Sequence, residues 1–143
     1  MDIKTAFVKG LREGLETTWR LAKLILPIYF AVTILQHTPL LHYIAALFHP
    51  VLGLAGLPGE TALALIMGAF VNIYAAIAVL IPLIPSLPLD IKQLTVLASM
   101  SCICHNIPIE SAVSRQTGVS FWLVTFIRIV TALVMGIILN QVI

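Results

Sequence analysis

Charge is what this chain has least of. Asp, Glu, Lys and Arg together make up 10% of its 143 residues, whereas about a quarter of an average soluble domain is charged. No charged residue occurs from Leu24 to Gly59, or again from Thr61 to Leu89. So few charges cannot cover a water-facing surface for a chain of this length, which excludes a soluble globular domain. Cysteine is scarce as well. Cys102 and Cys104 are the only two and lie inside an apolar segment, so a disulfide framework is excluded. Beyond residue 23 the acidic residues are Glu60, Asp90 and Glu110 alone. No Ser/His/Asp set, carboxylate pair or phosphate-cradling glycine loop is present, so neither an enzyme nor a bound cofactor is expected. A formal charge of +2 is too small to point to nucleic acid.

What remains is hydrocarbon. Hydrophobic residues account for 60% of the chain and the mean hydropathy is +1.08. A membrane-crossing helix takes about 20 apolar residues, so the length allows about four crossings with short connections. The expectation is an all-α integral membrane protein in one domain over residues 1–143. Residues 1–19 would form an amphipathic interfacial helix and residues 20–143 the transmembrane region. The N-terminus lacks a short apolar core followed by a small-residue cleavage site, so no removable signal peptide is expected.

Eight of the fourteen charges fall within residues 2–23. Ile3, Phe7, Leu11, Leu15 and Leu21 share one helical stripe, with Lys9, Arg12, Glu13, Glu16 and Arg20 off it and Lys4 the exception. That pattern suits a helix lying at the headgroups. The first crossing runs from about residue 20 to 37 and should kink at Pro27. The basic residues Lys4, Lys9, Arg12, Arg20 and Lys23 favour a cytoplasmic N-terminus, and four crossings would return the C-terminus to the same side. Residues 39–54 are short for a crossing and read as a re-entrant or surface-lying helix. The second crossing covers about residues 60–81, the third starts near Ile91, and the fourth covers about 120–140. Small residues on the second and third crossings, among them Gly68, Ala69, Ala75, Ala76, Ala98, Ser99 and Ser101, predict close helix packing and a homo-oligomer.

The second and third crossings look related. A shift of 34 residues lays Leu57–Ala78 on Ile91–Ala112 and matches Thr61 with Thr95, Asn72 with Asn106, Ile73 with Ile107 and Ala78 with Ala112. Consecutive crossings run in opposite directions, so this reads as an inverted-topology repeat. Pro108 lacks an amide hydrogen and its ring opposes the carbonyl of Cys104, so the third helix should break there, with Ile107 pushed out of helical geometry. Asn106 would cap the following half-helix, and Glu110 suits the positive end of its dipole. The counterpart carries Gly68 and Asn72 but no proline, so its break should be milder. Two polar interruptions at matching depth predict a midplane binding site formed by Asn72, Asn106, Gly68 and Pro108. Arg128 sits mid-span in the fourth crossing, where an arginine needs a partner. Glu110 is the candidate and completes the expected substrate-binding set. A Cys-x-Cys-His cluster, Cys102, Cys104 and His105, is the alternative metal site. His37, His42 and His49 read as interfacial.

Two stretches carry a resemblance. They are Pro50-Val-Leu-Gly-Leu-Ala-Gly-Leu-Pro-Gly-Glu60 leading into a helix, and Cys-His-Asn-Ile-Pro at 104–108. With them the chain resembles, over nearly its whole length, the nucleoside-recognition (Gate) domain proteins. These include the bacterial spore maturation proteins A and B, with related segments in concentrative nucleoside transporters and in the membrane part of ferrous iron transporter B. The second stretch is similar to the iron transporter's Gly-Cys-Asn-Val-Pro gate motif. Asn106 and Pro108 match it, whereas His105 stands in place of its cysteine and Cys104 in place of its glycine. The resemblance implies a multi-pass protein of the bacterial cell membrane and half of a transport unit, paired with a second copy or a second Gate protein. It implies a small solute, nucleoside-like or anionic, as substrate. A divalent metal-ion permease and a non-transporting scaffold subunit are the alternative readings.

Overall fold

The computed structural model describes residues 3–143, so positions 1 and 2 of the expected interfacial helix lie outside the described residues. Seven α-helices account for most of the rest, and there is no strand among the described residues. They are α1 (Ile3–Gln36), α2 (Pro39–Leu52), α3 (Ala62–Phe70), α4 (Ile73–Leu83), α5 (Ile91–Ile103), α6 (Ile107–Gln116) and α7 (Phe121–Val142). Helices α1 and α7, and α5 with α6 taken together as a 26-residue segment, are long and apolar enough to cross a membrane. The stretch Pro39–Ala55 followed by Gly59–Phe70, bent by 101°, would add a fourth if it counts as one crossing. An all-α membrane fold follows.

The amphipathic N-terminal segment is helical as expected, but it is not a separate element. It runs into the first crossing as one 34-residue helix that passes through Pro27 without ending. At about 1.5 Å per residue this helix exceeds the roughly 30 Å of hydrocarbon by many residues. Every described residue up to Arg20 is exposed.

Residues 60–81 do not form the straight crossing that the sequence suggests. A methyl group added at Gly68 would stand 3.1 Å from Ala76 Cβ. Eight residues apart in a continuous helix they would be separated by about 12 Å. The chain therefore folds back at Val71–Asn72, and α3 and α4 pair as a helical hairpin. Ala64, Val79 and Leu83 share one buried cluster with Val32 of α1 and Leu41 of α2. The side-chain amide of Gln36 donates to the carbonyl of Pro82 (2.6 Å), fixing the end of α4 to the end of α1. The break at Asn72 is thus sharper than the one at Asn106, contrary to expectation. A run of small residues there lets two antiparallel backbones approach, and a straight helix would forgo that packing.

The turn between α2 and α3 is held from two sides. Gly59 abuts the Ala45 backbone of α2, so any side chain at 59 would collide with main chain. Gln93 Nε2 donates to the carbonyl of Gly56 (2.9 Å). The same glutamine closes a capping box with Asp90 at the start of α5. Asn140, near the end of α7, meets the same turn through Leu54 and Gly56. Helix α7 accordingly runs antiparallel to α5 and α6, packing Gly136 on Met100 and bonding Thr125 to the buried Ser111.

Candidate functional site

The break between α5 and α6 is the chemically richest place in the molecule. Helix α5 stops at Ile103, Cys104 to Asn106 leave the helix, and α6 starts at Ile107. The residue out of place is Asn106, with φ 49° and ψ 38°, and not Ile107, which already belongs to α6. Asparagine tolerates this left-handed conformation better than most residues. The last carbonyls of α5 have lost their helical donors and, in hydrocarbon, must be satisfied by protein. Arg128 supplies two of the donors. Its Nε donates to the carbonyl of Ile103 (3.0 Å) and one terminal nitrogen to that of His105 (3.1 Å). Its other terminal nitrogen pairs with Glu110. His105 supplies a third contact, its Nδ1 lying 2.7 Å from the carbonyl oxygen of Cys102. The charges follow the two half-helix dipoles, with cationic Arg128 at the negative end of α5 and anionic Glu110 in the first turn of α6.

The hairpin meets this break directly. The backbone N–H of Asn106 donates to the carbonyl of Gly68 (2.9 Å), four residues ahead of the hairpin's turn. The two interruptions therefore touch, and Gly68, Asn106, Glu110 and Arg128 belong to one connected set. The asparagines do not play equivalent parts. Asn72 sits in extended backbone, and its Oδ1 accepts from the N–H of Ala75 (2.9 Å), capping α4. Asn106 holds the cap position of α6 but makes no side-chain cap, contrary to expectation, and its Oδ1 is buried without a partner.

A cavity of about 470 Å³ opens on the other side of the break. Phe48, Ala69, Cys104, Pro108, Trp122 and Leu133 are among its lining residues, and its walls are almost wholly apolar. It suits hydrocarbon rather than a polar solute. Of the expected substrate-binding residues Pro108 alone lines it; Asn72, Asn106, Gly68, Glu110 and Arg128 do not. The metal alternative is not assembled: no three His, Cys, Asp or Glu side chains converge among the described residues. Cys102 is exposed, and the ring of His105 is engaged by Cys102 and Glu110. His37, His42 and His49 are exposed on other elements. Sequence reasoning missed the contact of His105 Nε2 with Glu110 (3.3 Å), which their spacing implies only once the helix is known to break near them.

Comparison with known proteins places this geometry in context. Residues 18–115 match the Gate family, described as nucleoside recognition. The membrane protein YvoD of Bacillus subtilis (strain 168) is 41% identical over 138 residues, covering 96% of this chain. The chain spans 43% of that relative's length. No solved structure matches.

Proposed function

Because the chain belongs to the Gate family of nucleoside-recognition membrane proteins, we propose that it is a subunit of a membrane transporter, one part of a unit completed by a second copy or another Gate chain. The solute is small and polar, nucleoside-like or anionic, and passes where the two interrupted segments touch. The observation that carries this reading is the bond from the Asn106 N–H to the Gly68 carbonyl, with the unpartnered Asn106 Oδ1 beside it. Broken helices expose polar backbone at membrane depth, which is tolerated where it is buried in protein or borders a wet path. Interrupted segments meeting at mid-depth are the usual seat of a transporter's binding site.

Flux into proteoliposomes, measured with labelled uridine, adenosine, citrate and manganese(II), tests the reading. Two variants separate backbone from side chain. N106G keeps the left-handed geometry at no steric cost, whereas N106A keeps neither the amide nor the preference for that conformation. If the Asn106 side chain contacts solute, both variants lose flux at least tenfold while N106G remains folded. Full activity in N106G would limit Asn106 to a backbone role. Absence of flux for every probe, in the chain alone and with a co-purifying Gate partner, would overturn the transporter reading in favour of a scaffold.

A further inference from the structure

We propose that the apolar cavity beside the break holds one acyl chain of an anionic phospholipid, with Arg115 at its headgroup. Shape carries the first step. Along α7 the cavity is lined from Phe121 to Leu133, a rise of about 18 Å over those residues. Half of a hydrocarbon core about 30 Å thick is about 15 Å, so the cavity is one leaflet deep. Its floor is closed by the buried Ala62, Met100, Ile107 and Ala132, whereas Phe70 and Trp122 on its rim are exposed. Closed below and open at the rim, it is a trough that lipid can enter from the side.

The lining selects hydrocarbon. Its one hydroxyl, that of Thr125, already bonds Ser111 (3.0 Å), which leaves little for a polar solute. A partner helix does not fit. A helix about 10 Å across needs on the order of 1,400 Å³ over about 18 Å, and the cavity holds about 470 Å³. A second copy could cover the trough but not fill it.

Charge lies at one end of it. Pro108, on the cavity wall, and Arg115 are seven residues apart on α6, so they share nearly one face about 10 Å apart. The Ser111–Thr125 bond sets the antiparallel α6 and α7 in register, which puts Arg115 level with Phe121 and Trp122. Arg115 is exposed and takes part in no ion pair among the described residues. An arginine and a tryptophan at one level suit the headgroup region. The trough runs from that level to about mid-membrane, as an acyl chain does below its headgroup, and the cation selects an anionic phosphate. Cys104, Ile107 and Pro108 form the wall at the break, so a seated chain packs directly against it. The site is separate from the solute path and does not depend on it.

The test uses the full chain in mild detergent, with phosphatidylglycerol and phosphatidylcholine carrying the same acyl chains. W19F leaves Trp122 as the only tryptophan, and a brominated acyl chain quenches it on contact. Quenching should saturate at one phosphatidylglycerol per chain. Phosphatidylcholine should need about fivefold more, the effect of one basic residue at a headgroup. With R115Q added the two lipids should quench alike, whereas R115K should keep the preference. Equal quenching by both lipids without R115Q, or a preference that survives it, would overturn the proposal. I129W fills the trough from an exposed position on its wall and should abolish stoichiometric lipid binding in native mass spectrometry. Binding unchanged in I129W would put the lipid elsewhere and sink the proposal. Should I129W fail to fold, R115Q decides alone, since that side chain is exposed. Glycerol phosphate at the same concentration should not displace the lipid; if it does, the site reads a headgroup and not a chain. A dimer that I129W converts to monomer would mean that a second copy covers the trough, and the lipid proposal falls.

Discussion

Arg128 does three jobs with one planar group, and a point charge could not do them. Its guanidinium bonds one carbonyl at the end of α5, one within the break and one carboxylate at the start of α6, so it splices a helix that its own helix merely passes. Lysine would keep the charge but not the fork, and should lose at least one carbonyl bond. R128K should cost about 1–2 kcal/mol in detergent unfolding. R128A should cost about 3 kcal/mol or more, because it leaves two carbonyls without a donor and Glu110 without its cation. Glu110 is 40% exposed, which keeps R128A from the top of the range seen for fully buried pairs. Equal stability of R128A and the native chain would show that water or lipid headgroups serve these groups instead. The pairing itself was legible in the sequence, since an arginine in mid-span must find an anion and Glu110 was within reach. The carbonyl contacts were not, because nothing in the sequence shows which backbone groups a break leaves open.

At the scale of elements, the two interrupted segments carry similar residues and reach different shapes. Asn72 and Asn106 both mark a real break, and the 34-residue shift that aligns them anticipated where each would fall. The shift could not tell a fold-back from a splice. At Asn106 the proline and the Arg128 network keep α5 and α6 within one 26-residue crossing. At Asn72, Gly68 and Ala76 allow α3 and α4 to close on each other, a decision made by tertiary packing rather than local signals. A double-mutant cycle reads it out. G68A forces two methyl groups toward 3.1 Å and should cost about 1 kcal/mol or slightly more. A76G removes the opposing methyl at the usual helix penalty of about 1 kcal/mol. Combined in a hairpin, the two should couple by at least about 0.5 kcal/mol, the double variant being more stable than additivity predicts. Strict additivity would mean that residues 68 and 76 are far apart, as in a straight helix.

The hairpin bears on which side of the membrane the C-terminal end of α7 is expected. A segment that folds back emerges where it entered, so α3 and α4, read as a re-entrant hairpin, would contribute no crossing. With the bent 39–70 stretch left uncounted, the crossings are α1, α5 with α6, and α7, the lower of the three to four that length and hydropathy allow. Contacts at the bundle's ends agree. The end of α1 meets the end of α4 through Gln36 and Pro82. The start of α5 meets the α2–α3 turn through Gln93 and Gly56, and the end of α7 meets the same turn through Asn140. The last residues of α1 and of α7 thus lie at one end of the bundle and the N-terminal charges at the other. The basic residues sort the same way. Lys4, Lys9, Arg12, Arg20, Lys23 and Arg115 fall at the N-terminal end, whereas Lys92 at the far end is offset by Asp90 and Glu60. The excess of positive charge belongs on the cytoplasmic side. The expected topology is therefore an N-terminus inside and position 143 outside. Single cysteines placed at positions 5, 58 and 143, with Cys102 and Cys104 exchanged for serine, report it in intact cells. A membrane-impermeant maleimide should label 58 and 143 and spare 5 until the membrane is opened. Labelling of 58 with protection of both 5 and 143 would restore an even number of crossings, and α3 and α4 would then have to span the bilayer as one helix.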